Sequence, residues 1–204
     1  LKTAYEIPLR LMGSEMCIRD SITSGATNAL SAMSSSTRML MVKGDGTTIE
    51  YVTIASEGNP IDFGDTHTLV YRTGGEGASS TRGLILGGRG APGNGIVNIQ
   101  YVEMATLGNM LDFGDLNTNG RGQSSGGASP TRAFATSFTT YGNKVEMVTI
   151  ASTGNAVNFG NLTFNGGYNG GCSNNTTLIL GGGYSGADTN SIRGDICKFD
   201  MTSG

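Results

Sequence analysis

Apolar and polar residues alternate along IEYVTIAS (49–56), with Val52 and Ile54 on one side and Tyr51 and Thr53 on the other. A period of two in β-branched residues specifies a strand. The same apolar pair returns as Val102 and Met104, as Val148 and Ile150, and as Phe199 and Met201. Each pair belongs to a longer repeated string: IEYVTIASEGNPIDFGD (49–65), IQYVEMATLGNMLDFGD (99–115) and KVEMVTIASTGNAVNFGN (144–161). A fourth copy begins with ICKFDMTSG (196–204).

Each copy follows a second motif: SSTRMLMV (35–42), SSTRGLILGG (79–88), SPTRAFATS (129–137) and SNNTTLILGG (173–182). This motif predicts strands over 39–42, 84–88 and 178–182. The Gly-Asn pairs beginning at Gly58, Gly108 and Gly154 predict a tight turn after the alternating strand. A short strand is expected around Ile61 to Phe63, with Phe113 and Phe159 as its equivalents, and another near Leu69 to Arg72. A glycine-rich turn over 74–77 then leads into the next unit. Four short strands in a period of about 44 to 50 residues suit a propeller blade. The expected fold is therefore all-β: a β-propeller-like array of four-stranded antiparallel blades over residues 22–204. Its repeats lie near 35–78, 79–128, 129–172 and 173–204. About three and a half repeats are present, against the six or seven blades or so that close a ring of this kind, so an incomplete propeller is expected.

The interval from Ile49 to Gly64 is repeated without change from Ile99 to Gly114 and from Val145 to Gly160. Length varies instead between the second motif and the alternating strand, over 39–48, 83–98, 133–144 and 177–195. A constant frame with one variable loop per unit is how repeat proteins build binding surfaces. Arg89, Asn94, Tyr141, Asn143, Tyr184 and Asp188 are the polar and aromatic residues of those loops, and are the expected ligand or partner contacts.

Composition narrows the function. The chain has 204 residues, 37% hydrophobic and 14% charged, with 34 glycines and a net charge of −3. An acidic chain does not suit nucleic acid, whose phosphates need a basic surface. No apolar run approaches the roughly 20 residues of a membrane-spanning helix. Cys17, Cys172 and Cys197 have no metal-ligand spacing, and the single His67 completes no zinc site. Pairing of Cys172 with Cys197 is the one disulfide to consider. Residues 1–21 share nothing with the repeat. Their string YEIPLRLMGSEMCIRDS resembles translated sequencing-adaptor sequence, which implies that the natural N-terminus is missing and its targeting signals unreadable.

The glycine doublet ending a strand, the variable loop, the E-Y-V strand and the aromatic of the next short strand together resemble kelch-type propeller repeats. Phe63, Phe113 and Phe159 stand where kelch blades carry Trp. The string YVTIASEGNPIDFGD, with SSTRGLILGG between copies, resembles repeats in virion structural proteins of tailed phages, especially those of marine cyanobacteria. This resemblance covers about 180 residues. It implies a non-enzymatic structural or adhesive component of a phage particle, such as a tail or fibre. Its partners would be a host-surface glycan or another virion protein, with no cofactor and no metal. A cellular kelch-like interaction scaffold and a fragment of a carbohydrate-active propeller enzyme are the alternatives.

Several local motifs imitate chemistry. Asp62-Phe63-Gly64 and Asp112-Phe113-Gly114 spell the magnesium motif of kinases, without its companion motifs. Asp62 with Asp65, and Asp112 with Asp115, suit calcium by residue type, but the third copy has Asn158 and Asn161. Turn carboxylates bound to local amides are the simpler expectation. Lys43 to Gly46 reads as a hairpin turn. Glycine-rich 87–95 lacks the Lys-Ser/Thr of a phosphate loop. Arg38, Arg82 and Arg132, with Thr176 in the fourth place, form a row. A position repeated in the frame points to contacts between blades rather than to a ligand.

Overall fold

The computed structural model describes residues 31–43, 46–56, 58–70, 72–90, 95–117, 125–136, 142–167, 169–183 and 192–203. These form strands and no helix. The first sheet holds β1 (Ser31–Ser34), β2 (Arg38–Val42), β3 (Gly46–Thr53) and β4 (Ile61–Val70). The second holds β5 (Arg72–Ala78), β6 (Arg82–Arg89), β7 (Gly95–Glu103) and β8 (Leu111–Asp115). The third holds β9 (Gly126–Ala128), β10 (Arg132–Thr136), β11 (Lys144–Thr149) and β12 (Val157–Asn161). The fourth holds β13 (Gly170–Ser173), β14 (Thr177–Gly181) and β15 (Ile196–Asp200). Every pairing is antiparallel between chain neighbours, and the sheets stack as a propeller-like array that does not close on itself.

The alternating strand has two apolar faces. Val102 and Met104 enter a core with Leu40, Val42, Ile49 and Phe63 of the first sheet. Ile99, with Tyr101 at its margin, enters the next core with Ala133, Ala135, Val148 and Ile150 of the third sheet. A third core joins Phe134 and Val145 to Leu178, Leu180 and Met201. There is thus no single core but one layer between each pair of sheets, as in other stacked-repeat proteins.

The Asp-Phe-Gly triplet has a structural reason. The register shifts at the same place in three sheets, between Ile49 and Glu50, Ile99 and Gln100, and Val145 and Glu146. Phe63 is left unpaired in this bulge, since Ile49 faces Gly64 while Glu50 faces Asp62. A bulge re-aims a side chain, and here Phe63 and Phe113 are each 2% exposed within a layer. They meet Tyr51 and Tyr101 edge-on, with ring centroids 5.8 and 5.7 Å apart.

Several expected elements differ in the structure. The stretch 74–77 is not a turn but part of β5, and Gly126, Gly127, Gly170 and Gly171 are likewise in strands. These first strands converge, and glycine permits the approach: a Cβ on Gly77 would lie 2.6 Å from that of Ala133. Each sheet thus takes its first strand from the end of the preceding sequence repeat. The turn after β3 is closed one step early, by Ser56 N–H donating to Thr53 O (3.2 Å). The Gly-Asn pair beyond it binds the preceding sheet instead. Gly108 N–H donates to Phe63 O (2.9 Å) and the Asn109 side chain accepts from Asp65 N–H (3.0 Å). Gly154 and Asn155 repeat both bonds on Phe113 and Asp115. Gly108 and Gly154 have φ of 153° and 155°, which explains glycine there. In the first unit the strand of 61–63 and that near 69 are one strand, β4, and Arg72 belongs to β5. Ile54 lies beyond the end of β3 and is 55% exposed, unlike its buried equivalents Met104 and Ile150, because no described sheet precedes the first.

Replacing Phe113 with Ala should cost about 3–5 kcal/mol of stability, since the ring is enclosed between two sheets. Urea titration followed by circular dichroism measures it. A loss under about 1 kcal/mol would contradict a packed layer there.

Candidate functional site

The stack has two ends with different chemistry. One end carries the turns between the first and second strands of each sheet. Ser35 Oγ accepts the N–H of Thr37 (3.2 Å) and of Arg38 (3.1 Å). Ser79 and Ser129 do the same for Thr81 and Arg82 and for Thr131 and Arg132. The Asn174 side chain does so for Thr176 and Thr177. The turn holds the following arginine against the next sheet. Arg38 donates to Met104 O (3.1 Å) and Ala105 O (2.8 Å), and Arg82 to Ile150 O (3.0 Å) and Ala151 O (3.1 Å). Arg132 donates to Met201 O (3.0 Å). The guanidinium groups of Arg38 and Arg82 also lie over Tyr51 and Tyr101, at 5.0 and 4.7 Å from the ring centroids. The arginine row is therefore a set of clamps between sheets, as its repetition implied.

The fourth place in that row needs correction. Ile54, Met104 and Ile150 N–H donate to Thr37, Thr81 and Thr131 O, and Met201 N–H donates to Thr176 O. Thr176 thus matches the threonine of the motif, and Thr177 occupies the position of the arginine.

A second tie lies deeper. Gln100 is fully buried, and its Oε1 accepts His67 N–H (2.7 Å) and Thr68 N–H (3.2 Å) of the first sheet. Glu146, at the equivalent place, accepts Asn117 N–H (3.0 Å). Glu50, its counterpart in β3, pairs with Lys43 Nζ (2.7 Å), and its Oε2 is buried with no hydrogen-bond donor. The aspartates of the repeated string are strand residues rather than turn residues. Asp65 accepts from the Thr47 hydroxyl (2.9 Å) and Asp112 from the Asn98 amide, each across a strand pair. Among the described residues no three His, Cys, Asp or Glu side chains converge as metal ligands. Cys172 is exposed and Cys197 buried, and both are free thiols. Cys17 lies outside the described residues. The Asp200 carboxyl is held below its ordinary range, chiefly by the Thr202 hydroxyl and then by Thr202 N–H. This is a cap on the last turn.

The other end carries the hairpins from second to third strand. They span 43–45, 90–94, 137–143 and 182–195, and the order of strands brings all four out on the same side. Of the six expected contact residues, Arg89 ends β6 opposite Gly95 and is half-buried. Asn143 lies just before β11, and its side-chain amide donates to Leu162 O (3.3 Å), which ties the hairpin base to the segment after β12. Asn94, Tyr141, Tyr184 and Asp188 lie outside the described residues.

Sequence reasoning missed a groove of about 400 Å³ along β1, β5, β9 and β13. Its walls are mainly Gly, Ala and Ser, with Glu76 held by the Ser31 hydroxyl (2.6 Å). Ser173 Oγ exchanges hydrogen bonds with the backbone of Ala128 (2.9 and 3.1 Å), which ties the last two sheets. The signal for it was the small residues preceding each Ser-x-Thr-Arg motif. Neither a protein-family model nor a curated protein matches this chain.

Arg82→Ala should lower stability by about 1–3 kcal/mol through two lost charge-assisted bonds, with Arg82→Lys restoring only part. Denaturant midpoints measure this, and an unchanged midpoint would remove the clamp. Gly77→Val should cost more than about 1 kcal/mol by forcing β5 from β10. A neutral result in the same assay would show that the inner strands are not closely apposed.

Proposed function

We propose that this chain is a non-enzymatic structural or adhesive module of a tailed-phage particle. It binds a host-surface glycan or another virion protein through its hairpin end. The observation that carries this reading is the contrast between the two ends. Arginine clamps and side-chain-capped turns recur sheet after sheet at one end, while the hairpins at the other range from 43–45 to 182–195. A frame held this uniformly lets hairpin sequence change without loss of the stack, which is how loops come to carry recognition. The phage assignment rests on the resemblance of YVTIASEGNPIDFGD and SSTRGLILGG to virion repeats. Hydrogen-bonding and aromatic groups, rather than titrating ones, make up the proposed contact set: Arg89, Asn94, Tyr141, Tyr184 and Asp188. Asn143 supports the hairpin base.

Alanine at those five positions should weaken capture on a glycan array, or of a virion partner, by more than about tenfold. The far-ultraviolet circular dichroism should stay unchanged. Equal capture by the five-fold variant and the parent would overturn the assignment of the hairpin end.

A further inference from the structure

The two outer faces of the stack are the two halves of one interface. Between sheets, the layer always joins the same positions. One side supplies the residues at Leu40 and Ile49, at Leu84 and Ile99, and at Phe134 and Val145; all are at most 2% exposed. On the fourth sheet these positions are Ile179 and Ile196, which are 40% and 74% exposed. The opposing side supplies Val102 and Met104, Val148 and Ile150, or Phe199 and Met201. On the first sheet these positions are Val52 and Ile54, and Ile54 is 55% exposed.

We propose that copies of this chain associate head to tail, the face of Ile179 and Ile196 on one copy covering the face of Val52 and Ile54 on the next. Continuity with the internal interface identifies the occupant. Each open face lacks the partner positions that the other displays, and a second copy supplies both. Charge agrees with this. Lys198 replaces Tyr51 and Tyr101 on the face that looks outward from β15, and is exposed. In the internal packing order this position stands at the level of the residue next to Glu50, whose Oε2 is buried without a donor. An ammonium brought to that side meets an unsatisfied carboxylate. Thr177 in place of arginine means that the contact between copies lacks the internal clamp. It is therefore weaker and reversible. Because the two faces differ, the contact is heterologous, giving a ring if the rotation closes and a chain of copies if it does not.

Sedimentation velocity from about 1 to about 100 µM tests this. The parent chain should gain mass with concentration. Ile54→Asp and Ile196→Asp, both at exposed sites, should each remain monomeric with unchanged circular dichroism. An equimolar mixture of the two should form a dimer, because each variant keeps one intact face. Lys198→Glu should raise the dissociation constant about tenfold. A parent chain that is monomeric at the highest concentration would overturn the proposal. So would single variants that still self-associate, or a mixture that stays monomeric while the parent associates.

Discussion

Each sheet of this protein is a few short strands with apolar side chains on both faces, and such a sheet is stable only between neighbours. The rest of the structure depends on that two-sided burial. An isolated sheet of this size has little core of its own, so stability resides in the layers between sheets. The repeated string accordingly spends its constant residues on the contact with the adjoining sheet. The bulge aims Phe63 and Phe113 into a layer, Gly108 and Gly154 bring the next sheet close to it, and Asn109 and Asn155 accept the amides that the bulge leaves unpaired. The kinase-like triplet is one part of this device.

The ties between sheets are placed where hydrophobic contact alone would leave polar groups stranded. The strand ends at Met104 and Ile150 expose carbonyl oxygens at the edge of a layer, and Arg38 and Arg82 satisfy them. Gln100 and Glu146 do the same for backbone amides deeper in the stack. A buried amide or carbonyl without a partner costs more than a formed bond contributes. These residues therefore fix the alignment of one sheet on the next as well as adding stability. None of this constrains the hairpins over 90–94 or 182–195, which project from the opposite end.

The fold was legible because two-residue alternation and constant spacing survive in every copy, and the row of arginines was legible as a frame feature because it recurs. What misled was glycine. In sequence, GGEGA and the Gly-Asn pairs look like turns, since most glycine clusters between strands are turns. Here both sit where one backbone closely approaches another: Gly77 beside Ala133, and Gly64 beside the backbone of Gly108. That cause is tertiary and leaves no local mark. The same holds for the groove, whose walls come from four strands far apart in sequence. A shift of one residue in the fourth copy, from Thr176 to Thr177, was invisible because two threonines adjoin. Only the hydrogen bond from Met201 separates them.

The fourth sheet shows how a repeat can alter its outer face without harming its inner one. Its inward positions stay apolar: Leu178, Leu180 and Met201 are at most 1% exposed against the third sheet. Its departures from the pattern fall on the other side or at the edge: Thr177 for arginine, and Lys198 for tyrosine. Cys197 replaces the buried glutamine or glutamate and needs no amide donor from its neighbour. A repeat at the end of a stack is ordinarily made polar on its outer face, to keep it soluble. Here Lys198 brings a charge to that face while Ile179 and Ile196 remain exposed on it. An apolar face that has lost its clamp but kept its isoleucines is suited to contacts that form and break, whereas the internal layers, with clamp and amide ties intact, hold permanently.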